Sequence, residues 1–507
     1  MKYWFFSLLI LGLSVAWAAP YRLAFPDGVV EGRTVLSDQV AAFTGIRYAT
    51  STRWRAPVPV ALEGSVDATG AGFACPQLGV VSVQLGGSMP PQQEDCLFLN
   101  VWSPLATPPE GGWPVMVYIH GGSFTGGSGG EAIYDGALLA SRGVIVVTIN
   151  YRLGTLGYLA LPALAAEDRQ GSTGNYGILD QILALQWVQK YIGLFGGNPE
   201  LVTLFGQSAG GMSICTLMAS PLAQGLFAQA IIQSGGCIYA HTLEKGYQDA
   251  AKIGERVGCS PGNLTCWRTL PVAKLAEQPG EYPATDFAAN PYKPHIDGYV
   301  LTELPIEALR AGKAAGVRLI AGANAEEFPV ALARVVPNVF GWDPLEREIR
   351  RVYPENWERI MEAYRLEFTD PREAFIQYAI RRLVYCPSLA AARVQSTYVP
   401  SYAYVFDYRS PLLAAAGSFH GLELAFVFGN LGTWPYAALF AERQVFEAAL
   451  PLRETIQDLW VDFARGETPQ VGLMRWPTIA EGYLMQLDVR SGWRPDPYAE
   501  SCTLLEE

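Results

Sequence analysis

Leu201-Val202-Thr203-Leu204-Phe205-Gly206-Gln207-Ser208-Ala209-Gly210-Gly211 is a β-branched, apolar run that ends in Gly-x-Ser-x-Gly, and a helical pattern starts near Met212. A serine on a sharp strand-to-helix turn needs small neighbours, because its own backbone is strained. The turn lifts the hydroxyl above the sheet and sets it at a helix N-terminus. Alone the motif is weak, since the chain has 52 glycines. The strand before it and the helix after it give it weight.

Similar short apolar runs recur along the chain. Val115 to Ile119, Val144 to Ile149, Val202 to Phe205 and Ala228 to Gln233 read as buried strands, followed by Val317 to Ala321, Tyr402 to Tyr408 and Tyr483 to Leu487. Leu179 to Tyr191 has apolar residues at helical spacing between two of them. Such alternation predicts the α/β class, with a mainly parallel central sheet flanked by helices. Ligands of these sheets bind at the carboxyl ends of the strands. Residues from about 329 to 398 are rich in Arg, Glu and Tyr, and are expected to form a helical insertion before the strand that leads to His420.

The second signal is Val115-Met-Val-Tyr-Ile-His120-Gly121-Gly122-Ser123-Phe124, a strand that ends in His-Gly-Gly. Acyl transfer creates an oxyanion, and unobstructed backbone N–H groups stabilise it. Gly121 and Gly122 can supply two, and Ala209 of the elbow a third. A serine hydroxyl also needs a base, usually His. The chain has four histidines, at 120, 241, 295 and 420. The order that accompanies such an elbow is serine, acid, histidine. His120 precedes Ser208, and His241 and His295 leave little chain for an acid-bearing strand. His420, in Gly417-Ser-Phe-His420-Gly421, is therefore the expected base. The acid should follow a strand between Ser208 and His420, and Gly322-Ala-Asn324-Ala-Glu326-Glu327 fits. This pattern leaves Glu326 and Glu327 open, with Asp297 a weaker candidate.

The chain has 507 residues, of which 50% are apolar and 17% charged, so it can bury a large core and is not a disordered protein. The net charge is −12 and no basic run is present, which excludes a nucleic-acid binder. Lys2, the apolar run Trp4 to Val15 and Ala16-Trp17-Ala18 read as a signal peptide over 1–18, leaving 19–507 as a single domain. Export to a secreted or periplasmic location follows, without a stable membrane anchor after cleavage. The even number of cysteines, eight, is compatible with disulfides. Asn263-Leu264-Thr265 matches a glycosylation acceptor.

Assembled, these residues resemble the type-B carboxylesterases, an α/β-hydrolase branch that includes p-nitrobenzyl esterases, some fungal lipases and the cholinesterases. Glu94-Asp-Cys96-Leu-Phe-Leu-Asn100, Asn150-Tyr-Arg-Leu-Gly154, Gly174-Asn-Tyr-Gly-Ile-Leu-Asp-Gln181 and Phe195-Gly-Gly-Asn-Pro199 carry the resemblance. His420-Gly-Leu-Glu-Leu424, Trp460-Val-Asp-Phe-Ala464 and Trp476-Pro477 extend it to the C-terminal part. The resemblance implies a serine carboxylesterase that uses Ser208, Glu327 and His420, takes a small-molecule ester and needs no metal or organic cofactor. It selects Glu327 through the family's Gly-x-Asn-x-x-Glu, although the usual following Gly is here Phe328. It also implies Cys75–Cys96, Cys259–Cys266 and Cys386–Cys502 disulfides, with Cys215 and Cys237 expected to be reduced and buried. Gln207 stands where the family usually has Glu, and the loop from Cys75 to Cys96 has no aromatic residue. Both features argue against a choline-ester specialist. A binding protein on an inactive esterase scaffold, like the neuroligins, is the alternative from another class.

Overall fold

The computed structural model describes residues 20–77, 89–276, 290–327, 341–433 and 435–506. The expected signal peptide, Phe328 and the first part of the expected insertion lie outside the described residues. Thirteen strands among the described residues form one sheet. In chain order they are β1 (Pro20–Phe25), β2 (Gly28–Val35), β3 (Val40–Arg47), β4 (Gly64–Asp67), β5 (Phe98–Pro104), β6 (Trp113–Ile119) and β7 (Ile145–Ile149). They continue as β8 (Gly197–Gln207), β9 (Gln229–Gln233), β10 (Arg318–Asn324), β11 (Ser401–Phe406), β12 (Tyr483–Leu487) and β13 (Gly492–Pro495). Across the sheet the order is β1-β2-β3-β5-β7-β6-β8-β9-β10-β11-β12-β13, with β4 beside β2.

Every neighbouring pair from β7 to β12 is parallel. These are the strands read from the apolar runs, and their burial explains the runs. Val115, Val117 and Ile119 enter one core, while Met116 and Tyr118 enter the other. A strand buried on both faces has no polar side to show. The first core receives the helices Tyr176–Tyr191, Ala209–Ala219 and Cys386–Gln395. The second receives the helix Arg443–Ala464 and an aromatic group in which Tyr118 meets Tyr134, Phe205 and Phe428. Between β10 and β11 the described residues form helices Asp343–Val352, Trp357–Glu367 and Pro371–Ile380, then one π turn at Arg381–Tyr385. Leu345, Ile349, Ile360 and Tyr364 of these helices join the first core.

Four disulfides link Cys75 to Cys96, Cys215 to Cys237, Cys259 to Cys266 and Cys386 to Cys502. The second corrects the expectation that Cys215 and Cys237 are reduced. Gly211 and Cys215 lie one helical turn apart on the same face of Ala209–Ala219. After β9 the chain returns across that face: a Cβ on Gly235 would fall 2.8 Å from the Gly211 Cα. Two glycines thus allow backbone against backbone, and Cys237 arrives beside Cys215 with a Cα separation of 5.0 Å. Among the described residues no helix is long and apolar enough to cross a membrane, and no His/Cys/Asp/Glu group could hold a metal.

Candidate active site

β6, β8, β10 and β11 are neighbours or near neighbours, and the candidate residues follow their carboxyl ends. Ser208 follows β8 with φ 58° and ψ −124° and caps the helix Ala209–Ala219. So sparsely populated a backbone conformation costs a non-glycine residue on the order of 1–3 kcal/mol. Surrounding contacts impose it here. Ser208 N donates to Gln233 O at 2.8 Å, and Ser208 O accepts from Met212 N at 2.9 Å. A Cβ on Gly210 would fall 1.9 Å from Ile119 O, and one on Gly206 would fall 2.8 Å from the Gly210 carbonyl carbon. Both motif glycines are therefore steric necessities.

Gly121 packs directly against this turn: a Cβ there would lie 3.1 Å from the Ser208 Cβ and 2.7 Å from Gln207 O. The loop then runs left-handed through Gly122 (φ 108°), Ser123 (φ 56°) and Phe124 (φ 61°). Gly122 O accepts from Thr125 N at 2.9 Å and Gly126 N at 3.0 Å, and Gly154 N donates to Phe124 O at 2.7 Å. Gln77, beside the Cys75–Cys96 bond, clamps Gly127 with its amide oxygen at 2.7 Å and its amide nitrogen at 2.9 Å.

His420 Nδ1 lies 2.5 Å from Glu327 Oε2, and His420 N donates to Glu327 O at 2.7 Å. Glu327 Oε1 accepts from Asn324 N at 2.7 Å, and the Glu327 side chain is fully buried. A carboxylate held from both sides fixes the imidazole ring and favours the tautomer with its proton on Nδ1. Glu326 points elsewhere: it accepts from Ser418 N at 3.0 Å and pairs with Arg409 at 3.3 Å. Asp297 accepts from Ser172 Oγ and from the N–H groups of Tyr299, Val300 and Leu301. It organises the turn that follows it.

Gln207 and Gly421 join the serine and histidine segments, since a Cβ on Gly421 would lie 3.7 Å from Gln207 Nε2. The other histidines are buried. His120 stacks on Tyr151 with ring centroids 4.4 Å apart, and burial pushes its imidazole down to about 4. His241 and His295 sit 6.0 Å apart, bonded to the carbonyls of Asn290 and Gly174, and burial lowers both to about 4. They are neutral structural residues at neutral pH.

Reading the sequence alone assigns no role to Asn324 or Glu423. Asn324 Nδ2 donates at 2.7 Å to both Phe419 O and Glu423 Oε2, and so ties the acid loop to the histidine loop. Glu423 is buried and also accepts from Gln233 Nε2 at 3.3 Å. Burial first, and the charge of Glu327 second, raise its carboxyl from 4.5 to about 7. The signal was present in Gly-x-Asn-x-x-Glu and in His-Gly-Leu-Glu, but spacing does not reveal which side chain turns inward.

A large, mostly parallel sheet covered by helices on both faces, with a serine on a strand-to-helix turn, is the α/β-hydrolase fold. The chain superimposes on a solved PNB esterase with a TM-score of 0.82 at 32% identity, covering 96% of this chain and 99% of that one. It belongs to the Carboxylesterase family, whose sequence pattern matches residues 20–504. It is 34% identical to the para-nitrobenzyl esterase of Bacillus subtilis (strain 168), covering 90% of this chain and 91% of that one. It is also 33% identical to the fumonisin B1 esterase of Sphingopyxis macrogoltabida, covering 89% and 83%. The protein is a carboxylic ester hydrolase.

Proposed function

We propose that the protein is an exported serine carboxylesterase, a single domain from residue 19 to 507, that works through an acyl-enzyme on Ser208. The observation that carries this reading is the placement of Ser208: left-handed, at the end of β8 and the head of a helix, with Gly121 packed against it. His420 Nε2 takes the Ser208 proton as Oγ bonds to the ester carbonyl carbon. The N–H groups of Gly121, Gly122 and Ala209 hold the oxyanion. The carbonyl reforms, the alcohol-side C–O bond breaks, and the alcohol leaves with the proton from His420. Water repeats the sequence, releases the acid and restores the serine. Glu327 stabilises the imidazolium in both halves. Four disulfides support an oxidising destination, secreted or periplasmic. A neutral Gln207 beside the serine supports uncharged esters over choline esters.

The test is hydrolysis of p-nitrophenyl esters from acetate to palmitate, with and without an organophosphate. Activity lost together with labelling at Ser208 is expected, and Ser208→Ala should be folded and inactive. Turnover by a folded Ser208→Ala protein overturns the reading. The chain-length profile separates an esterase from a lipase.

A further inference from the structure

The loop proposed to hold the oxyanion contains two successive non-glycine residues, Ser123 and Phe124, in left-handed backbone. Something must keep them there. Phe124 is accounted for: its carbonyl accepts from Gly154 N, and its buried ring meets Tyr158 edge-on at 5.1 Å. Gly122 is fixed by Thr125 and Gly126, as described above. The Ser123 carbonyl accepts from Asn290 Nδ2 at 2.9 Å.

Asn290 is itself immobilised. It is completely buried, and its Oδ1 accepts from Tyr292 N at 3.0 Å. Its main-chain oxygen lies 2.9 Å from His241 Nε2, and His241 pairs strand-wise with His295. Tyr292 OH in turn meets Thr155 Oγ1 at 2.9 Å. A rigid block far along the chain therefore holds one peptide plane of the Gly121–Phe124 loop. If that plane is released, Ser123 and Phe124 lose a restraint on their left-handed backbone, and the segment that follows Gly122 is braced only through Gly122 O and Phe124 O.

We propose that Asn290 is a positioning residue for ester hydrolysis: with its main chain held at His241 and its carboxamide at Tyr292, it braces the Ser123–Phe124 peptide and so keeps the loop that carries the Gly121 and Gly122 N–H groups in place. It touches neither the serine nor the substrate. The inference rests on the serine esterase reading of Ser208 and Gly121.

Asn290→Asp keeps the shape and the acceptor toward Tyr292 N but removes the donor to Ser123 O. Asn290→Ser removes the donor without adding charge, and carries the test if the aspartate variant does not fold. With p-nitrophenyl acetate, kcat is expected to fall about 10-fold or more, short of the full loss on deleting an oxyanion donor, while KM stays within about threefold. The second readout is inhibition by a trifluoromethyl ketone, whose hemiketal oxyanion occupies the same N–H groups. Its Ki should rise by the factor by which kcat/KM falls, which a general loss of stability would not produce. Folded variants with unchanged kcat, or with reduced kcat and an unchanged trifluoromethyl ketone Ki, overturn the inference. Turnover by Ser208→Ala in the same assay would instead overturn the serine reading beneath it.

Discussion

Replacing Glu423 by Gln tests the electrostatics behind the acid loop. Glu423 is buried against Asn324 and Gln233, within electrostatic reach of the phenol groups of Tyr118, Tyr404 and Tyr436, with the Glu327 carboxylate and His420 as its charged or titratable neighbours. Its carboxyl titrates at about 7 in the folded chain, against 4.5 ordinarily. Below about pH 4.5 it is protonated in both folded and unfolded chains, and the difference has no effect. Between there and about pH 7 the unfolded carboxyl is ionised while the folded one keeps its proton. Folding then takes up a proton, so this group's contribution to stability is lost as pH rises, and the loss is complete above about 7. A difference of about 2.5 between the two values corresponds to about 3 kcal/mol. Glutamine does not titrate. Its carbonyl still accepts from one neighbouring amide, and its NH2 faces the other at a cost that does not vary with pH. Unfolding free energies from denaturant titrations of parent and variant, disulfides intact, should be compared at about pH 4.5, 5.5, 6.5 and 7.5. The variant should gain about 3 kcal/mol on the parent across that series, mostly between about pH 5 and 7. A constant difference would show that Glu423 is ionised like an ordinary carboxylate, and would refute the account of its burial.

Gly210→Ala should abolish turnover and lower expression of folded protein, because the added methyl meets Ile119 O at 1.9 Å; a folded variant with parental kcat on p-nitrophenyl acetate contradicts this. Glu327→Gln should lower kcat on the order of 1,000-fold or more, as misorienting a catalytic imidazole does. Glu326→Gln should change it less than about threefold, and equal losses would remove the distinction. Alanine replacement of both Cys386 and Cys502, which close 116 residues, should cost up to about 5 kcal/mol in the chain-entropy description, against about 2.5 kcal/mol for Cys259 and Cys266, which close 7. Denaturation midpoints under non-reducing conditions measure that order.

The parallel half of the sheet was legible because its strands bury both faces. Ile145–Ile149 is wholly apolar apart from Thr148, and no residue of it reaches solvent. β1 and β2 were not legible: they are antiparallel, half exposed, and carry Arg22, Glu31 and Arg33 on their wet sides. The elbow was legible because steric demand at Gly206 and Gly210 restricts the residue type itself. Composition and spacing left Glu326 and Glu327 open, since adjacent loop carboxylates differ in direction and not in composition, and only the family resemblance selected Glu327. Asn290 lay beyond reach for a related reason, because its contact with Ser123 spans 167 positions. The Cys215–Cys237 bond escaped because it depends on how closely the chain returns after β9.

The disulfide connectivity has a consequence for how the chain matures. Eight cysteines permit roughly a hundred pairings. Here the first joins the second, the third the fourth, and so on to the last, with no interval crossing another. A polypeptide that emerges N-terminus first presents its thiols in this order. An oxidase that joins each newly exposed thiol to the one waiting before it would reach the native set without reshuffling. The protein should therefore mature in a host with a strong thiol oxidase and little isomerase activity.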